Sequence, residues 1–131
     1  MKPRFVDTNI FVEALVRTGT KSGQSLALLE DAKIHLWTTE LVIAEIEWML
    51  RSGYEIPRTK VLDALKRILN LENLEVENRS MIAQALGVYE ELNVDFTDCL
   101  NFVKMLEKGV AEAYSYDRDF EKFKPLTRIG P

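Results

Sequence analysis

Arg4-Phe5-Val6-Asp7-Thr8-Asn9-Ile10-Phe11-Val12-Glu13-Ala14-Leu15-Val16 reads as a strand, a polar turn and a helix in direct succession. Phe5-Val6 is expected to be a short buried strand. Asp7, Thr8 and Asn9 have the short polar side chains that cap a helix start. The apolar run behind them continues as a helix to a stop near Gly19. The pattern repeats outward along the chain. A second helix is expected over residues 22–31, with Leu26, Leu29 and Ala32 on one face, and a strand over Ile34-His35-Leu36-Trp37. Thr38 or Thr39 caps a helix from Glu40 to Ser52, stopped by Gly53. Pro57 opens another, with Val61, Leu62, Leu65, Ile68 and Leu69 at helical spacing. Leu74-Glu75-Val76 is a strand. Helices follow from Asn78 or Ser80 to Leu92 and from Asp95 or Thr97 to Gly109. Strands over residues 111–115 and 126–129 close the chain. Short strands alternating with helices define an α/β fold with a mainly parallel sheet. In such sheets sites form at the carboxyl ends of strands, where Asp7 and Asp117 fall.

The 131 residues suit a single domain spanning 1–131, and a 47% hydrophobic composition is enough for a packed core. No stretch approaches the roughly 18 apolar residues of a membrane helix. Charge interrupts the segment after Met1, so it does not read as a signal peptide. The single cysteine, Cys99, sits among apolar residues and reads as a core thiol in a reducing cytoplasm. The net charge is −4, from 17 Lys and Arg against 21 Asp and Glu. That balance argues against holding nucleic acid by bulk electrostatics. It leaves room for an enzyme on nucleic acid, because a metal ion inverts the field of an acidic pocket.

Four carboxylates stand where ordinary surface charge is a poor explanation: Asp7, Glu45, Asp98 and Asp117. Acids drawn from distant segments make a site for a hard cation, and Mg²⁺ or Mn²⁺ held by carboxylates and water serves phosphoryl chemistry. Each acid also has a plainer reading. Asp7 or Thr8 can be a helix N-cap. Glu45 has Leu41, Val42, Trp48 and Met49 three and four residues away and no base among them, so it is a site residue or one at the edge of its face reaching water. Glu47 differs, because Arg51 lies four residues on in the favourable order; as a member of such a pair rather than a ligand, its replacement Glu47→Gln should do little to activity. Glu40 suits the helix dipole. Asp95 is the better cap and Asp98 the better ligand, though they could exchange roles. Of Asp117 and Asp119, the first is closer to the strand end and the second suits a water-mediated contribution.

His35, the sole histidine, reads as strand surface, and one histidine with one cysteine leaves zinc unsupported. There is no Gly-x-Ser-x-Gly, Gly-x-Gly-x-x-Gly or Walker loop. Trp37 and Trp48 read as core or interface residues.

Asp7-Thr8-Asn9 after a strand resembles the opening motif of PIN-domain ribonucleases. The segment Thr38-Thr39-Glu40-Leu41-Val42-Ile43-Ala44-Glu45 resembles their second motif, and Phe96-Thr97-Asp98-Cys99-Leu100 the third. Tyr114-Ser115-Tyr116-Asp117-Arg118-Asp119-Phe120 resembles the fourth. Each motif alone is weak; all four in order are fairly specific, and they resemble most the small stand-alone type typified by VapC-like toxins. The resemblance implies a three-layer α/β/α sandwich with a mainly parallel, roughly five-stranded sheet. It implies Mg²⁺- or Mn²⁺-dependent cleavage of RNA, an antitoxin protein as partner, and a homodimer. By resemblance Asp7, Glu45, Asp98 and Asp117 are the metal-binding acids, with Asn9 and Ser115 as supporting polar groups beside Asp95 and Asp119. Cys99, where a small alanine is usual, and the bulky Tyr116 depart from the pattern without removing an acid. The apolar helices over residues 41–50 and 61–71 also favour a dimer. The rival from another class keeps the fold, binds a cation or a partner, and cleaves nothing. A phosphatase with Asp7 as nucleophile is disfavoured by Asn9, where a second acid is wanted.

Overall fold

Parallel strands need a crossover of a dozen or more residues between them, and helices supply it here. The computed structural model describes residues 2–130. The chain divides into two compact units, Met1–Arg79 and Ser80–Pro131.

In the first unit, β1 (Arg4–Phe5) is followed by α1 (Thr8–Val16) and α2 (Thr20–Glu30). Then come β2 (Leu36–Thr38), α3 (Glu40–Trp48), a π-helical turn (Met49–Gly53), α4 (Arg58–Leu69) and β3 (Leu74–Val76). The strands form one parallel sheet in the order β1-β2-β3, with Arg4 opposite Leu36 and Leu36 opposite Leu74. Leu36 and Thr38 of the central strand are buried, as are Val61, Leu62, Leu65, Ile68 and Leu69 on the expected face of α4.

Three expectations change. Phe5 is 54% exposed; its ring leans on Trp37, and Val6 is the residue that enters the core. On α2, Leu29 is buried but Leu26 is 42% exposed. The helix expected to Ser52 leaves the α geometry after Trp48: the Tyr54 amide bonds the Met49 carbonyl, five residues back, at 3.0 Å. Such widened turns recur at functional sites.

The second unit holds α5 (Arg79–Glu91, its first residue on the boundary) and α6 (Phe96–Lys108). It continues with β4 (Glu112–Tyr114), a 3₁₀ helix (Arg118–Lys122) and β5 (Thr127–Ile129). Gly109 ends α6 in the left-handed region (φ 79°), which lets the Val110 amide reach back to the Met105 carbonyl at 2.8 Å. β4 and β5 pair in parallel, Glu112 opposite Thr127. Between them Phe123 is fully buried and stacks on Phe102 at 4.7 Å, while Phe120 meets it edge-on. The α/β class with parallel strands is therefore as the sequence implied, with the five strands distributed as a sheet of three and a sheet of two.

Glu47 is only 2% exposed, and its carboxylate receives the Arg51 guanidinium at 2.6 Å. The pair was legible in the sequence; the burial of Glu47 was not, and it adds a consequence for stability. Removing one partner of a buried pair leaves the other charge uncompensated. Glu47→Gln should lower folding stability by about 1–3 kcal/mol in denaturant titrations followed by circular dichroism. A midpoint equal to that of the wild type would mean the pair contributes nothing.

Candidate metal centre

In the first unit the end of β1 delivers Asp7. The Thr38 hydroxyl, fully buried, donates to the Val6 carbonyl at 2.9 Å and so ties this strand end to β2. Asp7 is exposed and is the N-cap of α1: its Oδ1 accepts the Thr8 amide at 2.8 Å. Among the described residues its other oxygen has no partner. Asn9 is exposed on α1, beside Glu13, Lys21 and Gln24. Thr39 caps α3 by accepting the Val42 amide at 3.3 Å. Glu45 lies on the exposed side of this helix with Leu41 and Trp48, and no ion pair engages it among the described residues.

In the second unit Asp95 occupies the N-cap of α6 without a side-chain bond to the helix amides, and Asp98 sits in the first turn, half-buried. β4 ends at Tyr114, and the backbone then turns through Ser115 into Asp117. The Ser115 hydroxyl accepts the Asp117 amide at 3.0 Å, and Asp117 Oδ1 accepts the Asp119 amide at 2.9 Å, capping the 3₁₀ helix. Asp117, like Asp7, is thus anchored through one carboxylate oxygen with the other free of partners among the described residues. Asp119 pairs with Lys122 at 3.1 Å.

The sequence did not announce Arg128. From β5 its guanidinium donates to the Ser115 carbonyl at 2.8 Å and to Glu121 at 3.1 Å, holding both ends of the acidic loop. The sequence signal was a long cation at the centre of a short strand, between Thr127 and Ile129.

Asp98 holds its proton more tightly than an ordinary aspartate. Burial is the first cause, followed by the charges of Asp95, Asp117 and Asp119. These four acids of the second unit therefore share one field. Their oxygens are hard donors suited to Mg²⁺ or Mn²⁺, and a cation would relieve their repulsion. Among the described residues no three Asp, Glu, His or Cys side chains stand close enough to form a closed metal cage.

The PIN domain family matches residues 4–125, nearly the whole chain. This chain belongs to the PIN-domain family. It is 34% identical over 87 residues to the VapC ribonuclease of Aquifex aeolicus (strain VF5), a match covering 66% of this chain and 64% of that protein. The chain thus spans somewhat less than two thirds of that relative's length. Among solved structures, that of VapC20 from Mycobacterium tuberculosis, a toxin that cleaves the sarcin-ricin loop, is 21% identical. That likeness covers 97% of this chain and 98% of that one, with a TM-score of 0.39.

The raised proton affinity of Asp98 in this PIN domain fixes a sign. The folded state binds the proton better than the unfolded chain does. The contribution of Asp98 to stability is therefore present in acid and lost as pH rises from about 3.9 through its raised folded value. Asp98→Asn removes this dependence. In metal-free protein its melting temperature should equal the wild type's in acid and match or exceed it near neutral pH, while Mn²⁺ affinity falls. A large loss of stability with Mn²⁺ binding intact would make Asp98 a capping residue instead.

Proposed function

We propose that this PIN domain is a metal-dependent endoribonuclease acting on single-stranded RNA in the cytoplasm. We further propose that it is a toxin restrained by an antitoxin protein, as the resemblance of its motifs to VapC-like toxins implies. The observation that carries the reading is the shared field of Asp98, Asp95, Asp117 and Asp119, in which Asp98 and Asp117 have no ion pair among the described residues.

Asp7, Glu45, Asp98 and Asp117 would hold Mg²⁺ or Mn²⁺. When bound, the cation supplies a water of lowered pKa and positive charge facing the phosphoryl oxygens. The chain's own part is placement. Asp7 and Asp117 each commit one oxygen to a following amide, which fixes the carboxylate and presents its other oxygen. Ser115 and Arg128 steady the loop that carries Asp117. Asp119, tied to Lys122, is suited to a water-mediated contact, and Asp95 adds negative charge at the start of α6. No side-chain nucleophile is required, in keeping with a sequence that offers no Ser-His or Cys-His pair. Unpaired RNA is the favoured substrate because it bends into a site that a rigid duplex does not enter. Cys99, a buried thiol, suits a reducing compartment.

Purified protein should cleave unstructured RNA with Mg²⁺ or Mn²⁺ and stop with EDTA. Asp7→Asn or Asp98→Asn should cut the rate by orders of magnitude while circular dichroism stays unchanged. Equal cleavage by wild type and Asp7→Asn would expose a contaminant. Binding of metal without cleavage would favour the non-catalytic module.

A homodimer belongs to the same proposal. Leu41 and Trp48 of α3 are 78% and 58% exposed, apolar area that a second copy would cover. Light scattering at tens of micromolar protein should give the dimer mass; a monomer mass would refute this part.

A further inference from the structure

Tyr114, the last residue of β4, and Tyr116, two positions on, are 77% and 82% exposed. Rings this open forgo the stabilisation of burial. Among the described residues neither ring takes part in a hydrogen bond or ring contact. The nearby Phe102, Phe120 and Phe123 pack against one another instead. Ser115 donates its amide to the Ile129 carbonyl at 3.1 Å, and the backbone bends at Tyr116 on its way to Asp117. Asp117 follows, and after it Arg118, exposed and without an ion pair among the described residues. Five consecutive residues thus carry two open π faces, a proposed metal ligand and a free guanidinium.

We propose that Tyr114 and Tyr116 form a stacking platform for an unpaired nucleobase beside the cleaved phosphate, with Arg118 against a neighbouring phosphate. The inference rests on the ribonuclease reading. A chain of net charge −4 gains little from counterion release. Stacking supplies affinity that does not depend on net charge and accepts any base, because every base has a π face. It also selects single strands, whose bases are free to leave their own stack.

The test is fluorescence anisotropy of a labelled single-stranded RNA in EDTA, which reads binding without catalysis. Steady-state kinetics in Mn²⁺ run beside it. Each Tyr→Ser change should weaken binding about tenfold, raise KM in step and leave kcat within about threefold. Tyr114→Phe and Tyr116→Phe should bind like wild type, since the ring survives. Wild-type affinity should fall only gently with salt, and the variants should melt like wild type because both rings lie outside the core. Unchanged binding by the Tyr→Ser variants would overturn the platform, as would Phe variants as weak as the Ser ones. A loss of dimer mass in place of RNA affinity would overturn it too, by making the rings a protein contact. If wild type binds RNA through the tyrosines but does not cleave it, the ribonuclease reading falls and the platform stands. If it cleaves and the variants are indistinguishable from it, the platform falls alone.

Discussion

Carboxylates that share a field repel one another, so each must be fixed by something other than its acidic neighbours. Backbone amides do this work in both units. Asp7 is pinned by the Thr8 amide and Asp117 by the Asp119 amide, both at the start of a helix where the amides are otherwise unsatisfied. The structural role of each aspartate as a cap and its proposed role as a ligand are therefore complementary. One oxygen secures the helix start, and that bond orients the other. The strands matter because they set where those helix starts occur. Thr38 locks the end of β1, and Arg128 locks the turn after β4.

The local part of this arrangement was legible in the sequence. A short apolar run, an Asp-Thr-Asn turn and a helical run specify a strand, a cap and a helix with little outside help, and Asp7 caps as read. Asp95 takes the N-cap of α6 and leaves Asp98 in the first turn, half-buried among like charges, as the weighing of the two acids suggested. The misreadings share a cause. Phe5 is open because nothing packed on its face of β1 covers it, and that depends on tertiary packing rather than on residue type. The π turn after Trp48 and the burial of Glu47 depend on what surrounds α3, which its own periodicity does not encode. Arg128 acts across 13 positions on the Ser115 carbonyl, and no short-range pattern marks such a contact.

The acidic composition and the proposed substrate look opposed, and the opposition is local. A divalent cation reverses the sign of an acidic site, so phosphate is repelled by the apo protein and accepted by the loaded one. The rest of the affinity has to come from groups indifferent to net charge. Open aromatic rings next to Asp117 are such groups, which gives their exposure a reason that folding alone does not.

The central claim is that the clustered acids of the second unit attract a divalent cation. Paramagnetic broadening by substoichiometric Mn²⁺ in two-dimensional amide NMR spectra tests it directly. The account predicts that the amides of Asp95, Asp98, Asp117 and Asp119 lose intensity together, ahead of acidic surface elsewhere such as Glu72 and Glu75. Broadening that spares these amides, or that spreads evenly over the acidic surface, would contradict it.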